Sequence, residues 1–229
     1  MDQLLVALDV ESAAKAIAVA DSLRGVAGGF KIGSRLFTSE GPSIVRALVD
    51  KGDRVFLDLK FHDIPNTVKH AAAEAAKLGV SMMTIHTSGG PAMMQAVTTE
   101  LRQKFGNAKP TVLGVTVLTS LDDQTLNDLG INSSMDVQVL RMARLAENSG
   151  LDGVVCSPRE IRTIRSAVAP EFKIVTPGIR MPGQSADDQQ RTATPREAIA
   201  AGADYIVVGR TVTNAASPRE ALQAVLQGL

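Results

Sequence analysis

Val55-Phe56-Leu57-Asp58-Leu59-Lys60-Phe61-His62-Asp63-Ile64-Pro65-Asn66-Thr67 is the stretch on which the reading of this chain turns. It opens with an apolar run, Val55-Phe56-Leu57, of the kind that forms a buried strand. On a strand, residues two apart share a face and lie roughly 6.5 Å apart. Asp58 and Lys60 therefore point the same way, with Leu57 and Leu59 on the opposite face. Asp63 arrives as the chain leaves the strand, and Pro65 suits the first turn of a helix. The unit is a strand, a charged edge and a helix. An unremarkable account would be a solvated ion pair at a strand end, contributing about 0–1 kcal/mol. A carboxylate, an ammonium and a second carboxylate gathered at one sheet edge are costly to assemble for that purpose, and they mark Asp58, Lys60 and Asp63 as a candidate catalytic set.

The same unit repeats along the chain. Short apolar runs recur at 4–10, 29–33, 54–60, 82–87, 111–118, 153–157, 173–179 and 205–209. Between most of them lie alanine-rich stretches of helical periodicity, including 11–23, 67–78, 135–148 and 159–168. Several of these run into a glycine that would stop the helix, as at Gly25, Gly52, Gly79, Gly150 and Gly202. Eight strands alternating with helices in 229 residues predict one α/β domain over 1–229, a single (β/α)8 TIM barrel. An open doubly wound sheet fits less well, because Ala7-Leu8-Asp9-Val10-Glu11 after the first strand has no glycine-rich nucleotide fingerprint.

In a barrel the site is built at the C-terminal ends of the strands. There the sequence places Asp9, Lys31, the Asp58–Lys60 pair, His86, Thr119, Arg180 and Arg210. Strand seven runs into Thr176-Pro177-Gly178-Ile179-Arg180 and strand eight into Val208-Gly209-Arg210-Thr211, the two loops that often hold phosphate in barrels. Gly209 would let the backbone approach an anion, and Arg180 and Arg210 would add fork-shaped cationic donors. Two connections are long. Residues 120–135 carry three aspartates with room for an extra short helix, and 180–194 is polar, aperiodic and placed to act as a lid.

Composition narrows the function. Basic and acidic residues balance at 24 each, and aromatics make up only 3% of the chain, which argues against nucleic-acid binding and for an aliphatic core. Cys156, the only cysteine, excludes an intramolecular disulfide and sits in an apolar run as a buried thiol. His62 is expected to pack beneath its loop, His86 to support the site floor by a hydrogen bond, and His70 to be exposed. Such scattered histidines suggest no metal site. No signal peptide precedes the first strand and no apolar run would span a bilayer, so a cytoplasmic protein with no membrane association is expected.

Over nearly its whole length the chain resembles the bacterial-type orotidine 5′-monophosphate decarboxylases. The resemblance is carried by Ala7-Leu8-Asp9, Phe30-Lys31-Ile32-Gly33, the stretch from Phe56 to Thr67, Leu118-Thr119-Ser120, Thr176-Pro177-Gly178-Ile179-Arg180, Asp188-Gln189-Gln190-Arg191 and Val208-Gly209-Arg210. It implies that Lys60 donates a proton to C6 of the pyrimidine and that Asp58 faces the substrate carboxylate. Asp63 and Thr67 would reach into the neighbouring site of a homodimer. Asp9 and Lys31 would hold the ribose and the charged network, Thr119 would meet the base, and Gln189, Gly209 and Arg210 would grip the phosphate with Arg180 in support. No metal or organic cofactor is implied.

Loss of CO2 from C6 leaves an electron pair in the ring plane, so a preorganised cation must stabilise it. An ammonium can do so and also supply a proton, which an arginine cannot. Two alternatives stay open. Asp-x-Lys-x-x-Asp alone is shared with metal-dependent sugar-phosphate decarboxylases and aldolase-like synthases of the superfamily, and a catalytically silent nucleotide-binding barrel would share the fold.

Overall fold

A computed structural model of the protein describes residues 2–181 and 192–229. Eight parallel strands close into a barrel in chain order. They are β1 (Leu4–Ala7), β2 (Gly29–Gly33), β3 (Val55–Phe61), β4 (Met82–His86), β5 (Thr111–Val115), β6 (Gly153–Val155), β7 (Lys173–Thr176) and β8 (Tyr205–Val208). Around them lie α1 (Ala13–Leu23), α2 (Ser34–Glu40), α3 (Pro42–Val49), α4 (Pro65–Lys77), α5 (Gly90–Phe105) and α6 (Asp123–Asp128). The ring is completed by α7 (Met135–Asn148), α8 (Ile161–Arg165), α9 (Pro195–Ala201), α10 (Arg210–Thr213) and α11 (Pro218–Gln227).

Strand alternation divides the apolar residues into two cores. Leu5, Ala7, Phe56, Met82, Leu113, Val175 and Val207 meet inside the barrel. Leu4, Val6, Ile32, Leu57, Met83 and Ile206 face outward into the larger layer beneath the helices. Each fully buried aliphatic side chain is worth about 1.5–3 kcal/mol, so a core poor in aromatics holds the barrel through many small contributions.

Ser12 caps α1 by accepting from the Lys15 N–H at 3.3 Å. As expected, Gly79 and Gly150 follow α4 and α7, with left-handed φ values of +81° and +78°. The connection 120–135 does contain a short helix, α6, capped by Asp122. The expected helix over 159–168 shrinks to α8, since its start is taken by a 3-10 turn over Pro158–Glu160 closed by a Ser157–Glu160 capping box. Six of the eight strands are shorter than their apolar runs, whereas β2 and β3 keep the full length. β1 ends at Ala7 and β7 at Thr176, just before Pro177, which has no N–H for the ladder. Most of the connection expected to form a lid, with Gln189, lies outside the described residues. Among those described, no helix is long and apolar enough to cross a membrane.

Candidate active site

Three neighbouring strands send charge to one mouth of the barrel. The Lys31 Nζ lies 3.2 Å from Asp9 Oδ1 and 3.6 Å from Asp58 Oδ2, and the Lys60 Nζ lies 2.9 Å from Asp58 Oδ1. The order across β1, β2 and β3 is Asp9, Lys31, Asp58, Lys60, with alternating sign throughout. Asp9 is just past its strand and half exposed, whereas the Lys31 and Asp58 side chains keep only 11% and 13% of their surface. Burial alone would raise the Asp58 carboxyl. The positive fields of Lys31 and Lys60, the Lys60 hydrogen bond and a hydrogen bond from Thr84 outweigh it and hold the group below its ordinary value. Asp58 is therefore an anion locked between two ammoniums.

β3 bends at this point. Its pairing with β4 runs Phe56↔Met82 and Leu57↔Met83, then resumes at Phe61↔Ile85. Four steps along β3 thus match two along β4, and Asp58, Leu59 and Lys60 bulge from the ladder. Lys60 has φ +53°, the one left-handed residue other than glycine among those described. Such a backbone costs on the order of 1–3 kcal/mol and persists only where its surroundings enforce it. The two extra residues preserve parity. Leu57, Leu59 and Phe61 line an outer cleft on the helix side, while Asp58 and Lys60 face the mouth, as the alternation predicts.

The charged row forms one wall of a cavity of about 490 Å³. Phe56, Val115, Val155 and Val207 make an apolar floor, and Thr119, half-buried past β5, lies on the same cavity. Pro177, Gly178, Arg180, Gly209 and Arg210, which follow β7 and β8, also line it. A Cβ built on Gly209 would meet only the Ala7 Cβ at an ordinary 3.6 Å. The protein's own packing therefore does not demand glycine there, and its bareness leaves room for a ligand. The Arg180 N–H donates to the Ala193 carbonyl at 3.0 Å, and its guanidinium donates to the Ile179 carbonyl at 3.0 Å.

Of the residues singled out from sequence, Asp9, Lys31, Asp58, Lys60, Thr119, Arg180, Gly209 and Arg210 all line this cavity. Asp63 and Thr67 do not. They are exposed on the turn into α4 and its first turn, beside Ile64, which is 66% exposed. The Asp63 carboxylate accepts the Ile64 N–H at 2.6 Å.

The histidines correct two expectations. His62 is exposed instead of packed under its loop, and its ring lies 5.2 Å from that of half-buried His86. The hydrogen bond supporting the floor comes from Thr84, one pleat earlier on β4. His70 is exposed and Cys156 is buried beside the cavity, as expected. Two residues escaped the sequence reading. Arg35 lines the cavity from the first turn of α2, and its only signal was its place two residues beyond the glycine ending β2. Thr84 left none, because its partners depend on the β3–β4 register. Among the described residues no group of three or more His, Cys, Asp or Glu side chains is arranged to hold a metal.

Residues 2–225 match the sequence model of the Orotidine 5′-phosphate decarboxylase / HUMPS family. Orotidine 5′-phosphate decarboxylases of Moorella thermoacetica and Syntrophotalea carbinolica are 48% and 49% identical over 228 residues, covering 98% of this chain and 90% and 93% of theirs. Among solved structures, orotidine 5′-phosphate decarboxylase from Lactobacillus acidophilus is similar with a TM-score of 0.86 at 37% identity, over 98% of this chain and 97% of the other. An uncharacterized conserved protein from Geobacillus kaustophilus is similar with a TM-score of 0.82 at 37% identity, over 98% and 99%.

Proposed function

The chain belongs to the Orotidine 5′-phosphate decarboxylase / HUMPS family, and from that premise we propose that it converts orotidine 5′-monophosphate to uridine 5′-monophosphate and CO2 without metal or organic cofactor. The observation that carries this reading is the Asp9–Lys31–Asp58–Lys60 row on a cavity that Arg180 and Arg210 also line. The phosphate fits Arg180, Gly209 and Arg210, and the family resemblance adds Gln189 to its contacts. The ribose fits Asp9 and Lys31, and the base lies over the apolar floor toward Thr119. That orientation brings C6 to Lys60.

When the C6 carboxylate leaves as CO2, the bond pair stays on C6 in the ring plane. The Lys60 ammonium stabilises that charge and then transfers a proton to it, giving uridylate. Interaction between unit charges at 4 Å is about 4 kcal/mol at an effective dielectric of 20, so a cation already in place supplies much of the stabilisation with little reorganisation. Asp58 holds the Lys60 ammonium by a 2.9 Å ion pair and so keeps it pointed at C6. It also faces the departing carboxylate, and the repulsion between them vanishes as CO2 forms. Binding energy from the remote phosphate positions the base over this pair.

Asp63 and Thr67, exposed, absent from the lining of their own cavity and close in sequence to exposed Ile64, are read as completing the site of a second copy in a homodimer. The metal-dependent sugar-phosphate alternative is disfavoured by Asp58 itself. A divalent ion at this mouth would have to strip Lys60, Lys31 and Thr84 from its two oxygens.

The test is the ultraviolet absorbance change on mixing protein with orotidylate in excess EDTA. Rapid conversion to uridylate is expected. No conversion, despite tight uridylate binding, would establish a silent binder. Conversion that EDTA abolishes would overturn the cofactor-free mechanism.

A further inference from the structure

Lys60 carries two structural debts: a left-handed backbone at φ +53° and an N–H removed from the strand ladder by the β3 bulge. Lysine has no side-chain oxygen with which to stabilise that conformation locally, unlike asparagine or aspartate. One side chain answers both. Thr84, fully buried on β4, accepts the Lys60 N–H through Oγ1 at 2.9 Å and donates the same hydroxyl to Asp58 Oδ1 at 3.0 Å. Asp58 Oδ1 in turn accepts from Lys60 Nζ at 2.9 Å. The three residues close a ring in which Lys60 is held at its backbone and at its ammonium. Threonine is suited to the task, since its β-branched χ1 is stiff.

We infer that Thr84 is a positioning residue whose hydroxyl sets where the Lys60 ammonium stands relative to the reacting carbon, an inference that rests on the decarboxylase reading above. Thr84 touches no substrate. It acts by fixing the Cα from which the lysine side chain extends and the carboxylate against which it rests. A misplacement near 1 Å at a reacting group can cost about 100-fold in rate. The ring is therefore expected to matter to turnover far more than to binding, because phosphate and ribose contacts lie elsewhere.

The test compares Thr84→Val, which keeps the shape and loses the hydroxyl, with Thr84→Ser, which keeps the hydroxyl. In Thr84→Val, kcat for orotidylate should fall about 10- to 100-fold while KM and uridylate affinity stay within about threefold. Thr84→Ser should stay within about threefold of wild-type kcat. A parallel readout needs no turnover: the Asp58 carboxyl, followed by NMR titration, should rise in Thr84→Val and not in Thr84→Ser. Should the valine variant fail to fold, Thr84→Cys, a weak donor and acceptor of similar size, takes its place. Wild-type kcat in the hydroxyl-free variant, or equal impairment of the two variants, overturns the inference. If the wild-type protein leaves orotidylate unchanged, the decarboxylase reading fails by itself, and the Asp58 titration still decides whether Thr84 holds the pair.

Discussion

On the proposed mechanism, Lys60 has to be compact, charged and able to give up a proton, which selects an ammonium over a guanidinium. Replacing it leaves the barrel core untouched, because the side chain projects from the strand into the mouth. Lys60→Ala is expected to lower turnover by at least about four orders of magnitude with a circular-dichroism melt close to wild type; activity within tenfold of wild type would remove its assigned role. A second residue makes a prediction about pH. Burial, then the positive fields of His62 and Lys60 against the opposing pull of Asp58, hold His86 below its ordinary 6.5. The unfolded chain therefore takes up a proton near pH 6.5 that the folded chain refuses. Stability present above that pH is lost as pH falls through it toward the folded value. Thermal melts on either side of pH 6.5 should show wild type losing more on acidification than His86→Gln; identical losses would refute the assignment. At this scale the sequence was legible where chemistry follows period two: Asp58 and Lys60 share a face, Lys31 lies within β2, and Asp9, Arg180 and Arg210 follow strand ends. Thr84 and the His62–His86 contact were not legible, since each depends on partners set by cross-strand register.

Strand β3 and the loops after β7 and β8 show how elements place these residues. An uninterrupted β3 would have paired Leu59 with Ile85; the bulge shifts that pairing to Phe61 and opens the site end of the strand without changing its faces. Alternation therefore predicted the faces correctly while giving no hint of the bulge. The apolar runs overstated the strands for a related reason: the barrel ladder ends where residues turn toward the site, yet Leu8, Val10 and Ile179 remain buried there and read as strand. The loop after β8 makes its own prediction. Gly209 is bare toward the cavity, and an added methyl would meet the protein only at Ala7. Gly209→Ala should fold normally but crowd the phosphate, lowering kcat/KM for orotidylate about 10- to 100-fold. An unchanged kcat/KM would place the phosphate elsewhere.

Across the whole molecule, the alternating charge row ends at Lys60, whose ammonium pairs among the described residues with the Asp58 carboxylate alone and remains 34% exposed. The neighbouring segment in sequence, with Asp63, Ile64 and Thr67, turns away from this cavity and presents a carboxylate, a large aliphatic and a hydroxyl outward. A two-fold pairing that covers Ile64 would carry Asp63 of each copy toward the other's charged row, the self-complementary geometry of an isologous dimer. Each site would then draw Lys60 from one chain and Asp63 from the other, which can be tested by complementation. Lys60→Ala and Asp63→Asn homodimers should each be strongly impaired. When the two variants are unfolded and refolded together, half the dimers are mixed. Each mixed dimer contains one site carrying both substitutions and one carrying neither. Activity should therefore recover to about one quarter of wild type per site. Sedimentation of the wild type as a monomer, or a mixture no more active than the sum of its parts, would show that Asp63 serves its own chain or none.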